Sequence, residues 1–80
     1  MKGSLLREWD GRVMAGGCLY DDTPEALLTA AAEWRQCAKY TVKDAQQDTD
    51  PTYRKIGAMA VLRRRAIARQ LAERAAELRA

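Results

Sequence analysis

Gln47-Asp48-Thr49-Asp50-Pro51-Thr52 is the stretch that decides the fold. Pro51 pushes Asp50 out of helical dihedrals, so a helix arriving from the N-terminal side must end before it. Asp50 is a good N-cap and Pro51 suits the first helical position, so a second helix starts at the same place. Two long helices joined by so short a link must run antiparallel, as an αα-hairpin.

Upstream, Asp21-Asp22-Thr23-Pro24-Glu25 repeats the start signal, with Thr23 as cap and Glu25 near the positive end of the helix dipole. From there Leu27, Ala31, Trp34, Ala38, Thr41/Val42 and Ala45 recur at three- and four-residue steps, which predicts a helix over 24–47. Trp34 is the one large ring on that seam and is expected to fill it as a core residue. Downstream, the pattern predicts a helix over 51–79, with Gly57 its one weak interior residue at about 1 kcal/mol relative to alanine. A helical wheel places Tyr53, Ile56, Ala60, Ile67 and Leu71 together as its seam. Val61 and Leu62, with Tyr40 on the first helix, are expected to point away from the seam and to mark an interface.

The segment 1–22 then has to cover the apolar overhang of the longer second helix. Leu5, Leu6, Trp9, Val13 and Met14 share a helical face behind Ser4, and Gly16-Gly17 would stop such a helix. Asp10-Gly11 is also a hairpin signal, but the flanks alternate poorly, so a short third helix is preferred over a β-hairpin. The expected fold class is therefore all-α: one small domain over 1–80, a long antiparallel hairpin with a short N-terminal segment packed across its open end.

Eighty residues lie near the size at which one core barely suffices. Much of the 48% hydrophobic content is alanine, and there is no Phe. A thin core favours a partner or self-association, so a homo-oligomer is expected. Charge is unevenly placed. Residues 1–50 hold six basic and nine acidic side chains, whereas residues 51–80 hold eight basic and two acidic. Such a helix prefers an anionic neighbour.

Catalysis has little support. There is no histidine to act as a base near neutral pH, and Ser4 is the sole serine. No glycine pattern matches a phosphate loop or dinucleotide fingerprint. Cys18 and Cys37 are too few for a disulfide framework or a zinc site, and read as structural thiols. Asp48-Thr49-Asp50 begins like a calcium loop, but Tyr53 and Met59 stand where its glycine and closing glutamate belong. No window resembles a signal peptide or a membrane span, so the expected setting is cytoplasmic, without cofactor, metal, membrane or small-molecule substrate.

The composition thus points to a non-catalytic adaptor, inhibitor or regulator of the kind found in phages and mobile elements, working through the outer face of the second helix. Its expected partner-binding residues are Tyr40, Val61, Leu62, Arg65 and Arg69, with Trp9 as an additional anchor. The alternative is a nucleic-acid-binding protein that holds phosphates non-specifically with Arg54, Lys55, Arg63, Arg64, Arg65 and Arg69. No aromatic is interleaved with those arginines, and the acidic first half would repel phosphates unless it faces away.

Overall fold

The structure, a computed structural model, describes residues 4–80. Its elements are β1 (Leu6–Trp9), β2 (Arg12–Ala15), β3 (Cys18–Asp21), α1 (Pro24–Gln47) and α2 (Pro51–Arg79). Both helix starts follow from their caps. Thr23 Oγ1 accepts the Ala26 N–H at 3.2 Å, and Asp50 Oδ1 accepts the Thr52 N–H at 2.9 Å. Asp48 closes the link by accepting the Asp50 N–H, also at 2.9 Å.

The N-terminal segment is not a third helix, and the fold class is α+β rather than all-α. Residues 6–21 form an antiparallel meander in the order β1-β2-β3. Two tight loops make it. Asp10 and Gly11 have φ of 52° and 73°, and Gly16 and Gly17 have 56° and 81°. Such pairs of left-handed residues form the two-residue hairpin turns whose twist matches that of the strands. Trp9 pairs with Arg12 across the first loop and Ala15 with Cys18 across the second. A helix would have needed Asp10-Gly11 in its interior. Gly16-Gly17, expected as a helix stop, is the second hairpin turn.

The sheet packs on the hairpin near its open end, with β3 against α1 and β1 against α2. Val13 and Ala15 are buried with Leu27, Ala30, Ala31, Ile67, Ala68, Leu71 and Ala75, and Leu5, Leu6, Tyr20 and Trp34 pack around them. Backbone and side chains tie the layers together. The Leu5 N–H donates to Gln70 Oε1 at 2.7 Å, and Trp34 Nε1–H donates to the Tyr20 hydroxyl at 2.9 Å. Burial pushes the Tyr20 phenol above its ordinary pKa, against the opposing pull of that Trp34 bond. Trp34 is thus a half-buried bridge between α1 and the sheet rather than a filler of the helix seam. Four-residue strands span only about 13 Å, while the molecule measures 44 × 22 × 19 Å. The sheet therefore covers only part of the hairpin's length and leaves the rest bare.

The α2 seam is turned from its expected position. Val61, Ala68, Leu71 and Ala75 are buried, and Gly57 meets Ala45 so closely that an added Cβ would lie 2.7 Å from the Ala45 Cβ. Tyr53 and Ile56 are exposed. Val61, expected on the outside, is buried at 6% exposure. Positions 57, 61, 64, 68, 71 and 75 alternate steps of four and three, the spacing of a helix–helix seam. Large apolar residues bias a wheel, whereas close helix approach selects small ones. Ile67 is buried in the cluster with Val13 and Ala15 beneath the sheet.

Asp22 fastens the strand-to-helix corner to the far end of α2. Arg74 donates from Nη2 to Asp22 Oδ2 at 2.7 Å and from Nε to Oδ1 at 3.0 Å, a two-pronged pair. These hydrogen bonds and the Arg74 charge hold the Asp22 carboxyl below its ordinary pKa. A lowered folded-state pKa contributes stability above the unfolded value, about 3.9, which is lost as pH falls through the folded value. Asp22→Asn is therefore expected to melt below wild type at pH 7. The gap should close as the pH drops below about 4, as thermal melts across that range would check.

Candidate functional site

On the face opposite the sheet, α1 and α2 lie side by side, and none of the described elements covers them. Two shallow grooves run between them. The first, about 660 Å³, is lined by Arg35 and Lys39 of α1 and by Arg65, Arg69, Ala72, Glu73 and Ala76 of α2. The second, about 370 Å³, continues toward the Asp48–Pro51 link and is lined by Val42, Ala45, Gln46, Arg54, Ala58, Val61, Leu62 and Arg65. Arg65 belongs to both. The floor is apolar, and five cations stand along the rims.

Helical spacing produces this arrangement. Arg35 and Lys39 are four apart on α1, and Arg65 and Arg69 are four apart on α2, so each pair stands on one helix face. The antiparallel packing brings the two pairs to opposite sides of one groove. Only Arg69 is ion-paired, to Glu73 at 3.7 Å and in the open. Among the described residues, Arg35, Lys39, Arg54 and Arg65 form no ion pair. The acidic residues of α1, Glu25, Glu33 and Asp44, line neither groove. The carboxylates of α1 therefore do not border this surface.

Of the residues singled out from the sequence, Leu62, Arg65 and Arg69 come together here, with Val61 in the floor. Leu62 is 67% exposed, the largest value among the bulky apolar side chains. Tyr40 is exposed but lines neither groove, and Trp9 stands on the sheet. The proposed phosphate-contacting set divides between two faces. Arg54, Arg65 and Arg69 line this side, Arg63 and Arg64 line a notch beside the sheet, and Lys55 lines none of these. Arg64 Nη1–H also donates to the Thr41 hydroxyl across the helix pair. Arg35 and Lys39 are not among the residues that the sequence singles out. Their i,i+4 spacing was visible, but not the groove they border.

The lining side chains offer cationic and apolar surface and no catalytic constellation. Cys18 and Cys37 are both free and exposed. Among the described residues, no group of three or more Cys, Asp or Glu is placed to hold a metal ion, and no helix is long and apolar enough to cross a membrane. No family model, curated protein or solved structure matches the chain.

Proposed function

We propose that the protein is a non-catalytic binding module, an adaptor, inhibitor or regulator, that takes an acidic amphipathic helix of a partner protein into the groove between α1 and α2. One observation carries this reading: two apolar-floored grooves that share Arg65 and are bordered together by five cations, four of them without an ion pair among the described residues, and by one carboxylate, Glu73. A helix laid there would bury Leu62, Ala58, Ala72 and Ala76 against its apolar stripe. Its flanking carboxylates would meet Arg35 and Lys39 on one side and Arg54, Arg65 and Arg69 on the other. A phosphodiester chain would gain the charges but leave the floor uncovered, which favours protein over nucleic acid at this surface.

Arginines at a rim chiefly steer association, and a buried apolar contact chiefly sets dissociation. A synthetic helical peptide with leucines at i, i+3, i+4 and i+7 and glutamates beside them supplies the test. Titrated into isotope-labelled protein, it should shift amide resonances along the groove and leave those of β1–β3 in place. Leu62→Glu should weaken binding at least tenfold without unfolding the hairpin. Arg65→Gln with Arg69→Gln should slow association and reduce its salt dependence. Shifts on the sheet instead, or a Leu62→Glu variant that binds normally, would sink the reading. A second copy occupying the groove would appear as a dimer in sedimentation, lost in Leu62→Glu.

A further inference from the structure

The opposite side of the molecule carries a different set of groups. Val13 and Ala15 of β2 point into the core, so the alternate positions face outward. By strand register these form two cross-strand rows, Arg7–Met14–Leu19 and Trp9–Arg12–Asp21. Trp9 is 62% exposed and Leu19 47%. A solvent-facing Trp and Leu on one small sheet are not required by the core, which lies on the other face.

At the end of the sheet where Leu6, Ala15 and Cys18 meet, the strands step down onto the bare part of the hairpin. The step is a notch of about 510 Å³ between the Gly16-Gly17 turn, the Trp34 ring and Ala60. Three guanidinium groups border it, from Arg7, Arg63 and Arg64, and no carboxylate does. Neither Arg7 nor Arg63 is ion-paired among the described residues, and Arg64 is steadied by Thr41. The one ion pair on this surface, Arg12 with Asp21 at 3.6 Å, lies at the far row beside Trp9.

We propose that the outer sheet face and this notch form a second binding site, for single-stranded nucleic acid: phosphodiesters held by Arg7, Arg63 and Arg64, and a base stacked on Trp9. Charge complementarity places the backbone at the notch, where cations gather without acids. Trp9 and Arg7 are two residues apart, about 7 Å along β1, so a stacked base and a held phosphate can belong to neighbouring nucleotides. Stacking on an aromatic is sequence-tolerant and requires an unstacked base face, which a duplex hides. The site therefore selects single strands with little base preference. It is independent of the helix-binding groove, from which the body of the hairpin separates it.

The test is fluorescence anisotropy of a labelled oligothymidine of about 12 nucleotides, a length within the usual site size, across a series of salt concentrations. Wild type should bind at low salt with an affinity that falls steeply as salt rises. Trp9→Ala should weaken binding about tenfold, within the range for loss of one stacked base, and leave the salt slope unchanged. Arg7→Gln with Arg63→Gln should lower that slope by about 1.4, at roughly 0.7 per lost phosphate contact. Arg65→Gln with Arg69→Gln, on the opposite face, should change neither quantity. All these side chains are exposed, and circular dichroism should confirm unchanged helix content. Absence of binding by wild type at low salt, loss of binding only in the Arg65/Arg69 variant, or a duplex of equal length binding as tightly would each overturn the proposal. None of these outcomes touches the peptide titration.

Discussion

Leu71→Ala is expected to lower the stability of the protein by about 3–5 kcal/mol, the upper part of the range for emptying a fully buried leucine site. Leu71 has no exposed surface and stands where three layers meet, against α1 on one side and the sheet on the other. The loss is disproportionate because the core has so little else. Among the described residues, Leu27, Ile67 and Leu71 are its only large side chains buried to below 2% exposure, and the remaining buried apolar positions are Val13, Val61 and alanines. Alanines cannot lean in to fill the space, so the cavity should persist. Small domains hold a total of roughly 5–15 kcal/mol, and this one has few reserves. Urea unfolding followed by circular dichroism should show the midpoint collapse. Leu62→Ala, exposed, serves as the control and should stay within about 0.5 kcal/mol of wild type. A Leu71→Ala variant within 1 kcal/mol of wild type would mean that the sheet does not seal this site.

Gly16→Ala should cost about 3 kcal/mol, from two separable sources. Gly16 has φ of +56°, where a Cβ brings about 1–2 kcal/mol of backbone strain. The same Cβ would sit 2.3 Å from Cη2 and 2.6 Å from Cζ2 of Trp34. The ring must therefore move, and moving it endangers the Trp34–Tyr20 hydrogen bond that joins α1 to β3. Gly17 separates the two causes. Its φ is +81° but a Cβ there would meet nothing within 4 Å, so Gly17→Ala should show the strain alone, about 1 kcal/mol. In a Trp34→Ala background, Gly16→Ala should fall to that same value. Equal costs at Gly16 and Gly17 in the wild-type background would show that the Trp34 contact carries no energy.

The glycine pair also explains where reading the sequence went astray. Asp10-Gly11 and Gly16-Gly17 are both dipeptides of the two-residue hairpin turn, four residues apart. Taken together they specify three four-residue strands. Taken singly, Gly16-Gly17 is equally a helix stop, and Leu5, Leu6, Trp9, Val13 and Met14 share a helical face. Strands this short offer only two inward residues each, too few for alternation to outweigh a helical pattern. Packing settles the choice, because a small sheet laid over the two helices buries Val13 and Ala15 with Ile67 and Leu71.

Half of the candidate groove was legible in the same way. The sequence places Leu62, Arg65 and Arg69 on an outward surface, and they line the two grooves. Val61 was misplaced because the wheel of α2 was centred on its largest apolar residues. Arg35 and Lys39 went unnoticed because the α1 pattern says which residues face α2, not which border the partner-free side.

What the sequence by itself determined is the pair of long helices and the link between them. Caps, prolines and three–four spacing act within a few residues of one another, so Thr23-Pro24 and Asp50-Pro51 need no distant partner to set their effect. Only the tertiary structure decided which stripe of α2 meets α1, which face the sheet covers, and therefore which cations stand together. The physical reason is that α2 carries apolar residues around more than half its circumference. Apolar area alone therefore does not fix its rotation, and the close approach of Gly57 to Ala45 lies on the stripe that is buried.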